Sequence, residues 1–437
     1  MDKAQELYEF ARQYLPGGVS ASTRYNRALG RPFYISRGDG SKVYDLEGRE
    51  YIDLCCSHGA SILGHNHPAL KAAVQRVLDL GIICSYETDL QSKLAQKLCQ
   101  MVPCAEMVRY AGSGTETIMH ALRLARAATG KHKIIKFEGH FHGYDDYVFW
   151  SAQPPLDQAG PPAAPIPYRQ SDGIPEILRE LVIVVPFNDA DAIERAILKH
   201  KDEVACVIME PINYDAGCIV PTKEYLQHIR ELTQAHGVLL FWDEVLTACR
   251  VAAGGAQEYF GITPDLAVMG KATAGGLPLS AIVGSRAVMS HLRPLGNSEH
   301  SGTYLGHLIP VAGALATLEI VSGPGFFEHI YDLAGRLYSG IDEIIRRLGV
   351  RARVQGLGAR FAIYFGVDPD EEITNWRQAG RNDSAMALRF IKAAIENGVY
   401  FHDYGGKPAH HGFSAAHTRE DVDRALEGIE AAFKTLT

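Results

Sequence analysis

Hydrophobic and polar positions along the chain alternate between two periods. From Pro68 the pattern is helical, over Pro68–Leu80 and again over Asp89–Met101. A short strand, Met107-Val108-Arg109-Tyr110, then runs into Gly112-Ser113-Gly114-Thr115. The next segment, Thr115–Thr129, sets Ile118, Ala121, Leu122 and Ala125 on one helical face. It stops at Gly130, the residue type that best accepts the left-handed turn past a helix end. A strand at Lys133–Phe137 follows, and then continuous apolar runs at Leu181–Val185, Val204–Met209, Val238–Trp242 and Leu266–Met269. Runs without alternation are what strands covered on both faces require. Helical segments at Asp191–His200 and Thr222–His236 lie between them, the second with Thr222 as its cap after Pro221. These alternating units predict an α/β fold with a doubly wound, mostly parallel sheet and ligands at the carboxyl ends of its strands.

The flanks read differently. Residues 1–45 predict a short helix, a turn at Pro16-Gly17-Gly18 and a strand at Lys42-Val43-Tyr44. Past residue 310 come helices at Val311–Val321 and Phe327–Leu348, strands near Arg353 and at Ala362–Phe365, and two further helices. The last of these opens on Thr418 with Asp421 completing a capping box. The expected organisation is therefore a large domain over 61–310 and a smaller α+β domain built from 1–60 and 311–437. Residues 152–180, rich in Pro, Gly, Ala and Gln, predict a long surface loop of the kind that can cover a site.

Composition narrows the partners. With 43 Lys+Arg against 51 Asp+Glu the net charge is −8, so no basic surplus points to nucleic acid. The polar start Met1–Leu7 lacks an apolar leader core, and no apolar run approaches the roughly 18 residues of a membrane span. A cytoplasmic chain without a membrane partner is expected. The eight cysteines show neither CxxC nor zinc spacing and are expected as buried free thiols.

Three features carry candidate chemistry. Asp243 and Glu244 directly follow one buried strand, and Glu210 follows another. Lys271 follows Leu266–Met269, where partial desolvation favours a neutral, nucleophilic amine. Gly112-Ser113-Gly114-Thr115, between a strand and a helix, offers free N–H groups, two glycines and a hydroxyl to a phosphate. It is neither a GxxxxGK[ST] motif nor GxGxxG, because Thr117 stands at the last glycine position. Taken singly, each also reads as a helix cap, a surface charge or an ordinary glycine turn. Taken together, a phosphate cup, an acid and a lysine at the strand ends of one sheet match pyridoxal 5′-phosphate, whose ring nitrogen pairs with the acid and whose aldehyde joins the lysine. His140 and His142 with Asp145 and Asp146, or His410-His411, would be the alternative as a metal cluster. No metal is expected, since the same stretch is accounted for at Phe141 below.

At these residues the chain resembles the class III aminotransferases of pyridoxal phosphate fold type I, particularly the glutamate-1-semialdehyde aminomutase group. The stretches that carry the resemblance are Gly64-His65-Asn66-His67-Pro68, Ser113-Gly114-Thr115-Glu116-Thr117, Lys136-Phe137-Glu138-Gly139 with His142-Gly143, Glu210-Pro211, Asp243-Glu244-Val245, Pro264-Asp265-Leu266 and Gly270-Lys271. The resemblance spans nearly the whole chain, from Leu15-Pro16-Gly17-Gly18-Val19 to Ala416-His417-Thr418. It implies Lys271 as Schiff-base lysine and acid/base, and Asp243 as partner of the ring nitrogen. Val245 and Phe141 would lie on the two ring faces, and Ser113, Gly114 and Thr115 at the phosphate. It places His142, Glu210 and Asp215 in the cofactor site as well. Thr303 would reach a neighbouring subunit's phosphate, implying a homodimer with shared active sites. Arg24 would bind a substrate carboxylate, and His58 would sit in the substrate pocket. Phe141, His58, Tyr86 and Trp150 are expected to line an aromatic-tolerant pocket.

The chain also departs from the group. Asp215 stands where relatives often carry Asn, and Gly306-His307-Leu308 replaces Gly-Asn-Pro. His58-Gly59-Ala60 and Ala272-Thr273-Ala274-Gly275-Gly276 resemble D-phenylglycine aminotransferase, and an aminomutase glutamate falls at Ala409. The implied activity is ping-pong transamination between a carboxylate-bearing amino acid (β-, D- or aromatic) and a 2-oxo acid. Intramolecular 2,1-amino transfer is the alternative, ahead of racemisation, decarboxylation or a non-catalytic binding role.

Overall fold

The computed structural model describes residues 2–408 and 410–436, so Ala409 lies outside the described residues. The chain forms two compact units. One comprises 1–67, 328–372 and 381–437, and the other 68–327 with 373–380.

The second unit is built on a seven-stranded sheet. Its strands in chain order are β1 (Met107–Ala111), β2 (Lys133–Phe137), β3 (Val182–Val185), β4 (Val204–Met209), β5 (Leu239–Glu244), β6 (Leu266–Met269) and β7 (Ser280–Gly284). Across the sheet they run β1-β7-β6-β5-β4-β2-β3. β7 is antiparallel to both of its neighbours, while the other pairings are parallel, so six strands end on the same edge. β4 is buried at every residue and β6 likewise, which is why neither alternates polar with apolar. Helix Gly114–Thr129 turns its apolar face onto the sheet, where Ile118, Leu122 and Ala125 pack in a cluster with Ile208, Phe241, Val268 and Trp150. Its left-handed Gly130 ends it as the sequence predicts.

Helix Leu308–Val321 differs from the expected domain boundary. It belongs to the second unit, packing against helices Pro68–Leu78 and Asp89–Met101. The physical reason is its composition. It is apolar on nearly every face, the pattern of a helix enclosed by neighbours, where a surface helix would carry one stripe. Segment 373–380 also joins this unit, through Arg377, which forms a two-pronged ion pair with the buried carboxylate of Glu138 at 2.6 and 2.9 Å.

The first unit holds small sheets and amphipathic helices. Strands Ile35–Asp39, Lys42–Asp45 and Glu50–Asp53 form an antiparallel meander, and Val399–Tyr400 adds to it in parallel. Ala352–Leu357, Arg360–Phe365 and His411–Gly412 form a second antiparallel sheet. Helix Arg419–Lys434 opens with the capping box of Thr418 and Asp421. Among the described residues no single helix is long and apolar enough to cross a membrane.

Candidate active site

The register of the large sheet brings the candidate residues to one edge. Trp242 pairs with Met209 and Glu244 with Met269. Glu210, Asp243 and Lys271 therefore stand at the carboxyl ends of the adjacent strands β4, β5 and β6. Ala111, the end of β1, pairs with the first residue of β7, so the turn Gly112-Ser113 opens on that same edge. A cavity of about 250 Å3 lies there, and Ser113, Gly114, Thr115, Phe141, His142, Glu210, Asp243, Val245 and Lys271 all line it.

The cup is the start of helix Gly114–Thr129. Ser113 caps it, its hydroxyl accepting from Glu116 N at 3.3 Å, while Thr117 N donates to Ser113 O at 3.0 Å. The N–H groups of Gly114 and Thr115 are thus left without a bond inside the helix, at its positive end. A Cβ on residue 114 would stand 3.3 Å from Val245 Cγ2, so any side chain there would fill the gap between cup and valine. Loop residue Gly143, at φ +82°, lies so close that a Cβ would meet Thr115 Oγ1 at 2.6 Å.

Asp243 is held at both oxygens. Val245 N donates to Oδ1 at 3.1 Å, and His142 Nδ1 is 2.8 Å from Oδ2. Burial pushes the His142 imidazole below its ordinary range, opposed by Asp243, so the ring is neutral with its proton on Nδ1. Its Nε2 is buried without a hydrogen-bond partner. Glu210 has another task. Its carboxylate accepts from Phe141 N at 3.0 Å, Tyr214 N at 3.1 Å and Asp215 N at 3.3 Å, which fastens two loops together. Burial, with Asp215 and Asp243 nearby, raises its pKa well above the carboxylate range. Lys271 sits at φ +45°, a left-handed conformation uncommon for a side-chain-bearing residue and concentrated at functional sites.

These features fit pyridoxal phosphate. The donor set holds an anion at a helix start, a fixed carboxylate and an amine, with apolar walls at Val245 and Phe141 between them.

Other predicted residues fall elsewhere. Asp215 does not line the cavity; its carboxylate accepts from Gln153 Nε2 at 3.1 Å. Thr303 is exposed, its carbonyl accepting from Ser85 Oγ at 2.9 Å. Arg24 and His58 belong to the first unit. Arg24 is exposed and donates to Ser20 Oγ. His58 lies in a left-handed run from Cys56 to Gly59, with its Nδ1 2.6 Å from Tyr404 Oη. The aromatic pocket expected from sequence is corrected at Trp150. Trp150 is fully buried in the core cluster, its Nε1 donating to Asp146 O, and Tyr86 is 76% exposed. Among the described residues no group of three or more His, Cys, Asp or Glu is arranged to hold a metal.

Sequence reasoning missed the His142–Asp243 contact, because nothing in a single sequence links positions 101 residues apart. It also missed Leu246 and Leu279 on the cavity wall. The signal for a buried Lys136 was present: a lysine set between Ile134-Ile135 and Phe137 in β2.

The chain is similar to known proteins over its whole length. Over 436 residues the chain is 38% identical to a glutamate-1-semialdehyde 2,1-aminomutase of Methanocaldococcus jannaschii, covering 100% of this chain and 99% of that protein. Among solved structures it superposes on an omega-transaminase from Sphaerobacter thermophilus with a TM-score of 0.92 and 32% identity, covering 99% and 97% of the two chains. A transaminase with PLP bound gives a TM-score of 0.89 at 27% identity, with 99% and 97% covered. The profile of the class-III aminotransferase family matches residues 25–433, and the chain belongs to that family.

Proposed function

We propose that this protein is a pyridoxal 5′-phosphate-dependent aminotransferase that moves an amino group between a carboxylate-bearing amino acid and a 2-oxo acid in two half-reactions. The observation that carries the reading is the meeting of Lys271, Asp243 and the helix cup on one cavity. The cofactor, when bound, supplies an aldehyde that takes up the amino group and a ring that accepts the electrons released at Cα.

The protein supplies the rest. The N–H groups of Gly114 and Thr115, with the Ser113 hydroxyl, hold the phosphate through the helix dipole and direct hydrogen bonds. Asp243 keeps the ring nitrogen protonated, and its two fixed oxygens need no reorganisation as charge develops. Val245 and Phe141 exclude water from the ring faces. Lys271 Nζ takes the proton from the substrate Cα as general base. Arg24 is the carboxylate ligand, an interaction that a guanidinium makes with two parallel N–H donors. His58 shapes the substrate pocket and Thr303 serves a second copy of the chain. The dimer reading is supported by exposed apolar side chains beside Thr303. Ile82, Tyr86 and Tyr304 are 72, 76 and 70% exposed, on segments stitched together by Ser85 Oγ to Thr303 O and by Gln91 Nε2 to both Tyr86 O and Gly306 O.

A second reading, intramolecular amino transfer, is favoured by the name of the 38% identical relative. One experiment separates the two. Protein loaded with pyridoxal phosphate is expected to lose its visible band on adding an amino acid substrate and to regain it only with a 2-oxo acid. Turnover of an amino aldehyde without any oxo acid would select the second reading. Lys271→Ala is expected to lose turnover and the borohydride-reducible attachment of the cofactor; retention of that attachment would overturn the site assignment.

A further inference from the structure

Lys136 lies on β2, inside the large unit, with no exposed surface at all. A lysine is seldom buried without a carboxylate bonded to it, because its ammonium loses hydration. Here the side chain bonds to two backbone carbonyls. Nζ donates to His140 O at 2.9 Å and to Trp150 O. Those carbonyls flank the loop that carries Phe141, His142 and Gly143, three residues of the cavity wall. One side chain therefore pinches both ends of that loop onto the strand.

The surrounding contacts show what the pinch holds in place. Phe141 N reaches Glu210, His142 reaches Asp243, and Gly143 packs against Thr115 of the cup. Each contact joins the loop to a different part of the candidate site. Releasing the loop's two ends loosens all three together, whereas losing a neighbouring core side chain would not. We infer that Lys136 is a positioning residue, fixing the Phe141–Gly143 loop so that the cofactor cavity is formed before cofactor arrives.

The clamp does not depend on charge. Burial lowers the Lys136 pKa to about 7, with Asp215, Glu210 and Glu138 opposing the shift. A neutral amine still keeps two N–H donors, one for each carbonyl. Lys136→Met preserves length and volume but removes both donors, leaving two buried carbonyls without their partner.

The inference rests on the cofactor reading above, and its test is arranged so that the two can fail separately. The measurements are pyridoxal phosphate affinity by spectral titration, visible circular dichroism of the bound cofactor, and the melting temperature of the cofactor-free protein. Ile135→Ala, a fully buried neighbour on the same strand, is the control for simple loss of stability. Lys136→Met is expected to weaken cofactor binding by about tenfold or more and to reduce the visible dichroism. Ile135→Ala is expected to melt earlier yet bind as the wild type does. If Lys136→Met is insoluble, Lys136→Gln, which keeps an amide donor on a shorter stem, takes its place with an intermediate loss expected. Wild-type affinity and dichroism in the Lys136 variant, or equal losses in the Ile135 control, would overturn the inference. Failure of the wild type itself to bind cofactor would instead overturn the cofactor reading.

Discussion

His417 shows how one residue can set the acid stability of a unit. It is fully buried in the first unit, where its Nδ1 accepts from Ser414 N at 3.1 Å, and burial lowers its pKa to about 4. His411, also fully buried, is lowered to about 3 for the same reason. Above pH 6.5 neither ring is protonated in the folded or the unfolded chain, so neither contributes a pH dependence. As pH falls from 6.5 towards 4, only the unfolded chain takes up these protons, and each histidine costs up to about 1.4 kcal/mol per pH unit. Denaturant midpoints are therefore expected to drop between pH 7 and pH 5. His417→Asn, whose side-chain oxygen can still accept from Ser414 N, is expected to flatten that slope. An unchanged slope in the variant would remove His417 as a source. The same logic of burial separates the acids of the site, since Glu210 is spent on backbone N–H groups while Asp243 faces the cavity between fixed donors.

At the scale of elements, the site depends on how closely the Phe141–Gly143 loop meets the cup helix. Gly143 combines φ +82° with a Cβ position 2.6 Å from Thr115 Oγ1 and 2.9 Å from Thr115 Cα. An alanine there has to bear a left-handed backbone, worth roughly 1–2 kcal/mol, and must also push the loop off the helix. Gly143→Ala is expected to lower the melting temperature modestly and to weaken cofactor binding more than stability alone would explain. Gly130, also left-handed at φ +69° but open to solvent, is the matched control, since its alanine variant bears only the backbone cost. Equal cofactor affinity in the two variants would show that the approach to Thr115 does not matter.

At the scale of the whole molecule, the proposed dimer would place a second copy over the exposed apolar segment around Ile82 and Tyr304. Sedimentation of the wild type is expected to give a dimer. Ile82→Glu combined with Tyr304→Glu is expected to give monomers that lose cofactor, because Thr303 would no longer reach the neighbouring phosphate. A double variant that stays dimeric would move the interface elsewhere.

Much of this organisation was legible in the chain. Buried strands betray themselves by unbroken apolar runs, so the bounds of β4 and β6 match those read from sequence. Caps at Thr222 and Thr418 were legible because their chemistry is local, a hydroxyl accepting from an N–H three residues on. Lys271, Asp243 and the Ser113–Thr115 cup were legible because strand ends in parallel sheets face ligands. Less was visible where meaning depends on distant neighbours. Trp150 reads as a pocket aromatic, yet it fills the core beneath the sheet. Helix Leu308–Val321 reads as the start of a new domain, yet its apolar surface is enclosed within the large unit. The sequence by itself determined the elements, the chemistry at their ends and the family, since hydrogen-bonding period and capping act over a few residues. Only the tertiary structure decided that His142 serves Asp243, that Glu210 braces loops and that Lys136 pinches one, because the contacts of His142 and Glu210 join segments brought together by strand order and that of Lys136 depends on the path of the loop after its own strand.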